Sequence, residues 1–128
     1  MRWLLDTHTL WWAVTEPRRL GLRVRHVLEV AAAGEIGIPS VVIVELGRLI
    51  DAGDLNLDIR PSDMFTPFLA RHPVLPTSLD AAIKAPRLNL PHGDPFDRLI
   101  VAEAIVRRVP LLTKDANIAD SGLVSVIW

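Results

Sequence analysis

Apolar segments that lie beside an acidic residue recur along this 128-residue chain, and they constrain its fold more than any other feature. The acids concerned are Asp6, Glu45, Asp94, Asp97 and Asp115. Asp6 follows the strand-like segment 3–5, and Asp115 lies two residues after the strand-like segment 109–113. In a parallel α/β fold the strands end, and the helices begin, at one edge of the sheet. The pattern therefore predicts that these acids, distant in sequence, gather at one place.

Clustered carboxylates favour a bound cation, because they repel one another and resist joint ionisation without one. Sites rich in carboxylate oxygen suit Mg²⁺ or Mn²⁺. Such ions catalyse phosphodiester cleavage. The acids therefore predict a divalent metal site, with phosphodiester hydrolysis as the hypothesis to test.

The bulk composition is that of one domain, residues 1–128, without disulfides. Half the residues are hydrophobic, which indicates strands buried on both faces or a surface covered by a partner. The net charge of −1 gives no general attraction for polyanions, so a nucleic acid would need local cations or a metal. We expect no signal peptide and no membrane span, which is compatible with a cytoplasmic protein.

Strand and helix signals alternate along the chain. Strands are predicted at residues 2–5, 35–38, 74–76, 109–113 and 123–127. Helices are predicted at residues 10–14, 20–33, 40–52, 62–72, 78–85 and 95–108, with Ser40 as an N-cap and residues 54–60 as a connection. The helix at 95–108 should turn inward Phe96, Leu99, Ile100, Ala104 and Ile105. This alternation predicts an α/β fold with a parallel sheet between helical layers.

Each acid also has a purely structural interpretation. Asp6, taken alone, is better explained as the N-cap of the helix that begins near His8. Glu45 flanks the apolar face of its helix, and an ion pair with Arg48 explains it as well as a metal does.

The other acids fit helix starts in the same way. Asp94, Pro95 and Asp97 suit the N-cap, first and third positions of a helix, although capping and metal binding are compatible. We expect Asp97 to bind metal and Asp94 to support it or cap the helix. Asp115 alone is equally well a turn or cap residue, and Thr113 could orient a carboxylate or a metal-bound water.

Other catalytic signals are weak or missing. The four histidines lack zinc-ligand spacing, and we find neither a glycine-rich phosphate loop nor a serine nucleophile motif. His8 and His92 lie beside the acids in sequence and are candidates to touch phosphate. The four tryptophans are interpreted as core or dimer contacts rather than base-stacking residues.

Several blocks of the sequence resemble the PIN-domain ribonucleases, and within them the VapC-like toxins of bacterial toxin–antitoxin modules. The blocks are LLDTH at 4–8, VEL at 44–46, LPHGDPFDRLI at 90–100 and LTKD at 112–115. Their order and spacing cover almost the whole chain. The Asp-Pro-Phe-Asp-Arg block is specific to one branch of the family, whereas the first and last blocks are weak individually.

The resemblance implies a three-layer α/β/α sandwich with a mainly parallel five-stranded sheet in the order 3-2-1-4-5. It implies a metal-dependent endoribonuclease, often a homodimer, that a cognate antitoxin silences. The family's acidic quartet falls on Asp6, Glu45, Asp97 and Asp115. Asp94 matches an extra acid of this branch, and Asn117 stands where some relatives carry a further acid, which leaves a second metal position open.

On this basis we expect the quartet to hold Mg²⁺ or Mn²⁺ for hydrolysis of RNA by water. Arg98, Lys114 and His92 are candidate phosphate contacts, although Arg98 is equally suited to a local ion pair with Asp94 or Asp97. The RNA should be single-stranded, since bases are accessible there. Two alternatives stay open: a phosphoacceptor signalling domain, and a catalytically inactive binding module of the same fold.

Overall fold

The computed structural model describes residues 1–53, 59–91 and 93–128. Its strands are β1 (Trp3–Leu5), β2 (Ile36–Pro39), β3 (Val74–Leu75), β4 (Leu111–Leu112) and β5 (Val126–Ile127). Its α-helices are α1 (Thr7–Thr15), α2 (Leu22–Val30), α3 (Ser40–Asp51), α4 (Pro61–Arg71), α5 (Leu79–Lys84), α6 (Pro95–Arg107) and α7 (Ala116–Ser121). Short 3₁₀ turns occupy Pro17–Arg19 and Ala85–Arg87.

The five strands form one sheet in the order β3-β2-β1-β4-β5, and every neighbouring pair is parallel. Leu4 of the central strand is opposite Gly37 on one side and Leu111 on the other. All residues of β1 and β2 are buried. Since successive residues of a strand point to opposite faces, both faces of the sheet are covered. The predicted α/β/α sandwich and strand order are confirmed.

The strand order places a topological switch point between β1 and β4. From β1 the chain moves to β2 and β3, and it then returns to the other side of β1 to form β4 and β5. Ligands of open α/β sheets bind beyond the carboxyl ends of the strands at such a point. Asp6 directly follows β1, so the fold sets this acid at the switch point.

Several local predictions need correction. Four of the five strands are shorter than predicted, and β2 keeps its predicted length but is shifted by one residue. Helix α2 begins only at Leu22, because Gly21 takes the N-cap position, and it ends at Val30. Ser40 is the first residue of α3 rather than its cap, which is Pro39. The Ser40 hydroxyl instead lies 3.0 Å from the Thr77 hydroxyl. Of the predicted connection at 54–60, residues 54–58 lie outside the described residues.

Helix α6 is more deeply buried than its sequence pattern indicates. Ile100 and Ala104 are buried as predicted, but Val101, Ala102 and Glu103 are buried as well. The predicted inward residues Phe96, Leu99 and Ile105 are only partly buried, against the core. The helix buries two faces because α5 packs against it in addition to the sheet core. It ends at Arg107, and Arg108 adopts the left-handed conformation with a φ of 57°.

Glu103 is a buried acid that ties α5 to α6. One carboxylate oxygen accepts a hydrogen bond of 2.6 Å from the backbone N–H of Ser78, the N-cap of α5. The other lies 3.1 Å from the Arg107 guanidinium. A buried carboxylate is tolerated only with such partners. Glu103 therefore stabilises the packing of these two helices. Among the described residues, no helix is long and apolar enough to cross a membrane.

We expect Glu103→Ala to lower the free energy of unfolding by about 1–3 kcal/mol, because the Ser78 N–H loses its acceptor and Arg107 its partner. Glu103→Gln keeps an acceptor for Ser78 and should be less destabilising. Urea denaturation measures both variants. Glu29→Ala, an exposed glutamate on α2, is the control and should change stability by less than about 0.5 kcal/mol. Equal effects of Glu103→Ala and Glu29→Ala would contradict this role.

Candidate functional site

A pocket of about 460 Å³ lies beyond the carboxyl ends of β1 and β4. All five acids singled out from the sequence line it: Asp6, Glu45, Asp94, Asp97 and Asp115. Thr7, His8, Trp12 and Lys114 complete the lining. Asp6 comes from the end of β1, and Asp94, Asp97 and Asp115 come from the starts of α6 and α7, as the topology predicts. Glu45 comes from the middle of α3.

Asp6 is fixed in place by two hydrogen bonds. One carboxylate oxygen accepts from the backbone N–H of Thr9 at 3.0 Å, so Asp6 is the N-cap of α1. The other accepts from the Thr113 hydroxyl. The structural interpretation of Asp6 as a cap is correct, and the same residue lines the pocket. Capping and a functional role are therefore combined in one side chain.

Thr113 connects two of the acids. Its side chain is buried at the end of β4. The hydroxyl oxygen donates to Asp6 and accepts from the backbone N–H of Asp115 at 3.1 Å. The hydroxyl thus sets the orientation of the Asp6 carboxylate and the path of the chain into α7. Thr113 thus contacts a carboxylate, one of the two roles that the sequence leaves open for it.

Glu45 reaches the pocket from α3 and is partly buried. The alternative ion pair with Arg48 does not form: among the described residues, no ion pair includes Glu45. The Arg48 guanidinium instead lies 5.0 Å from the centroid of the Phe96 ring. Within the described part of the chain, an ion pair with Arg48 therefore does not explain the presence of Glu45 on α3.

Asp94 and Asp97 approach the pocket at the start of α6. Asp94 is the N-cap, with a side-chain oxygen 2.8 Å from the Phe96 N–H, and Pro95 is the first helical residue. Asp97 lies in the first turn, where the helix dipole favours a negative charge. Both side chains line the pocket as well. The predicted helix start is confirmed.

Asp115 is the N-cap of α7. One of its oxygens accepts from the N–H groups of Asn117 and Ile118, at 2.8 and 3.1 Å. Asn117 is exposed and takes part through its backbone, and its side chain is not among those that line the pocket. Nothing in this geometry makes Asn117 a ligand, so its supporting role stays a prediction.

The structure gives Arg98 a role different from the predicted phosphate contact. Its guanidinium donates to the backbone carbonyl groups of Ala85, Leu88 and Leu90, the shortest at 2.7 Å. Arg98 does not line the pocket and instead anchors the segment before α6. Lys114 does line the pocket. His92 lies outside the described residues.

Trp12 is the pocket residue that the sequence did not reveal. The sequence predicts a core or dimer contact, and Trp12 does pack against the core. It also lines the pocket beside Lys114, whose ammonium nitrogen lies 5.8 Å from the Trp12 ring centroid. His8 lies 5.6 Å from the same ring, centroid to centroid. The only available signal was position: Trp12 and His8 lie four residues apart, on one side of a helix that starts at the acids.

The electrostatics of the pocket are dominated by its carboxylates. Burial raises the pKa of Asp6 above its ordinary value, and the hydrogen bonds from Thr113 and Thr9 only partly offset that increase. Lys114 and His8 are the basic residues among the lining. A site in which carboxylates outnumber basic residues in this way attracts cations.

The donor set is suited to Mg²⁺ or Mn²⁺, because the acidic ligands offer only oxygen. The Thr7 hydroxyl, which is buried at the pocket and has no hydrogen-bond partner among the described residues, also indicates space for water or a ligand there. However, no three acidic or histidine side chains in the described ranges lie close enough together to form a ready-made metal centre. Binding would therefore require carboxylate side chains to move inward.

Comparison with known proteins agrees with this architecture. The family model described as PIN domain matches residues 3–122. Ribonuclease VapC22 of Mycobacterium tuberculosis is 33% identical over 118 residues, which cover 90% of this chain and 88% of VapC22.

Solved structures share the fold at lower identity. A chain in the structure of VapBC2 from Rickettsia felis, bound to a DNA fragment from their promoter, has a TM-score of 0.74 and 18% identity, covering 100% of this chain and 99% of its own. A chain of DNA-bound VapBC from Salmonella typhimurium has a TM-score of 0.73 and 20% identity, covering 99% of this chain and 97% of its own. At these identities the structural matches show the fold alone.

We predict that Asp6→Asn raises the melting temperature of the metal-free protein at neutral pH by several degrees. A raised pKa means that the folded state binds the proton more tightly than the unfolded state, so ionisation of Asp6 lowers stability as pH rises from the ordinary carboxyl range. Asparagine removes this penalty and still caps a helix. The gain should vanish below the ordinary carboxyl pKa.

Differential scanning calorimetry across pH, with chelator present, checks this prediction. Asp80→Asn is the matched control, because Asp80 is exposed in the first turn of α5, away from the acidic pocket. A lower melting temperature for Asp6→Asn at neutral pH would show that its hydrogen bonds outweigh the burial of its charge.

Proposed function

The chain belongs to the PIN domain family, and from that premise we propose that it is a metal-dependent endoribonuclease, the toxin of a toxin–antitoxin pair. The observation that carries the proposal is the gathering of five carboxylates in one pocket at the switch point of the sheet. VapC22, a ribonuclease at 33% identity, supports RNA as the substrate.

In this proposal Asp6, Glu45, Asp97 and Asp115 hold one or two Mg²⁺ or Mn²⁺ ions. Such a cation would supply charge stabilisation for the scissile phosphate and would acidify water. The chain contributes the positions of the ligands: Thr113 orients Asp6, and the helix starts orient Asp97 and Asp115. Asp94 supports the start of α6. Of the candidate phosphate contacts Arg98, Lys114 and His92, Lys114 is the one found among the described residues that line the pocket.

Hydrolysis by water needs no participation of the ribose 2′-hydroxyl. The bond between phosphorus and the 3′-oxygen breaks, and the attacking water oxygen stays on the phosphorus.

An antitoxin is the proposed protein partner. Half the residues of the chain are hydrophobic, and Leu22 and Leu79 remain largely exposed at 79% and 75%. Partner chains commonly cover such surface. The Rickettsia felis and Salmonella typhimurium structures that share the fold are named as VapBC, which is compatible with this assembly. A homodimer stays a prediction from the resemblance.

The alternatives are less well supported. A phosphoacceptor domain needs a second acid beside the one that follows β1 and an aspartate at the end of β3, whereas Asp6 is followed by Thr7 and β3 by Pro76 and Thr77. Incubation with a small phosphodonor should therefore leave the protein unlabelled. A catalytically inactive binding module of the same fold would cleave no RNA, so a cleavage assay separates it from the nuclease.

Asp97→Asn should reduce RNA cleavage by at least about 100-fold, the usual scale for the loss of one element of transition-state charge stabilisation. The assay follows single-stranded RNA with Mn²⁺ or Mg²⁺, and EDTA should abolish the wild-type activity. Asp63→Asn is the matched control: Asp63 is also in the first turn of a helix with proline at its start, but it lies outside the pocket. Full activity of Asp97→Asn, or wild-type activity that EDTA leaves unchanged, would refute the assignment.

The products should carry 5′-phosphate and 3′-hydroxyl ends, because water rather than the neighbouring 2′-hydroxyl is the proposed nucleophile. Mass spectrometry of a short cleaved RNA distinguishes the two chemistries. Fragments with 2′,3′-cyclic phosphate would contradict hydrolysis by water, even if metal were required.

A further inference from the structure

The acidic pocket continues into a second depression on the side of α3 and α6. Glu45 and Asp94 line both, and the second depression also includes Arg48, Asp51 and Phe96. Lys114 lines only the first and Arg48 only the second. Because they share Glu45 and Asp94, the two depressions form one groove, with Lys114 in its first part and Arg48 in its second.

Each of these cations lies over an aromatic ring. The ammonium nitrogen of Lys114 is 5.8 Å from the Trp12 centroid, and the guanidinium carbon of Arg19 is 4.7 Å from the same ring. In the second depression the guanidinium carbon of Arg48 is 5.0 Å from the Phe96 centroid. Cation–π contacts of this length hold a flexible charged side chain in position. Lys114 and Arg48 are both exposed and accessible to a ligand.

The overall charge of the chain makes these two cation–aromatic pairs important for binding a polyanion. With a net charge of −1 and five acids at the pocket, the protein cannot attract a polyanion by its overall field. Phosphates on either side of the acids need local cations. Proteins that bind single-stranded nucleic acid combine cations along the backbone with aromatic side chains.

We propose that Lys114 and Arg48 bind the phosphates that flank the scissile one, so that a single RNA strand passes through the groove across the acids. Trp12 and Phe96 are positioning residues that hold these cations in the two parts of the groove. This inference rests on the proposed function for the identity of the scissile bond. The substrate class is single-stranded RNA, because two paired strands would have to open for one backbone to follow the groove.

The experiment measures how the dissociation constant of a fluorescent single-stranded RNA depends on salt, in the inactive Asp97→Asn protein. Each lost phosphate contact should reduce the slope of log Kd against log salt by about 0.7. Arg48→Gln and Lys114→Gln should each show this loss, and the double variant should lose both. Arg87→Gln is the control, since Arg87 is exposed and lies outside the groove.

The positioning role has its own readout. Trp12→Leu should lower the salt slope as Lys114→Gln does, whereas Trp12→Phe, which keeps an aromatic ring, should restore it. In the otherwise wild-type protein, Arg48→Gln should raise KM for RNA several-fold with little change in kcat. A purely structural effect would not separate KM from kcat in this way.

The outcomes distinguish this inference from the proposed function. If the wild-type protein cleaves RNA but neither cation variant changes the salt slope, the groove assignment alone is overturned. A groove that binds a peptide would give this result. An equal reduction of the salt slope by Arg87→Gln would also overturn the groove assignment, because RNA binding would then be spread over the protein surface. Groove-dependent binding without any cleavage by the wild-type protein would support the groove and refute the nuclease.

Discussion

The convergence of carboxylates at the end of the central strand is the constraint on which the rest of the structure depends. A partly buried Asp6 carboxylate with a raised pKa is unfavourable in isolation, and four more acids share its pocket. The fold tolerates this arrangement because backbone N–H groups and the buried Thr113 hydroxyl hold three of the acids, Asp6, Asp94 and Asp115, in place. The sheet and the helix starts therefore work as a rigid frame for a locally unfavourable charge distribution.

Capping and function are not competing explanations here. Asp6, Asp94 and Asp115 each use one carboxylate oxygen to cap a helix. Because a carboxylate has two oxygens and about four acceptor positions, a cap leaves capacity for another ligand. A helix start also fixes the side chain more firmly than a loop does. These three acids are thus helix caps, as their structural interpretation predicts, and the capping hydrogen bonds fix the positions of their carboxylates in the pocket.

The parts of the site that the sequence revealed are those set by local rules. Alternating strand and helix signals, and Asp94 before Pro95, placed the acids at one edge of the sheet. Arg98, Trp12 and Glu103 depend on contacts across the fold: three carbonyl groups of another segment, a pocket wall, and the start of α5. No periodicity encodes those contacts. The strand order itself came from family resemblance, because composition and spacing leave several orders open for five strands.

The same carboxylates that would bind a cation must repel RNA while the cation is absent. In the proposed mechanism, binding of metal and binding of RNA are therefore coupled, and each should strengthen the other by the same factor. The local cations Lys114 and Arg48 cannot remove this repulsion, since the five acids of the pocket outnumber them. A chain with a net charge of −1 would then hold RNA firmly only when the pocket is neutralised. The proposed mechanism therefore makes substrate affinity, and not only catalysis, conditional on the metal.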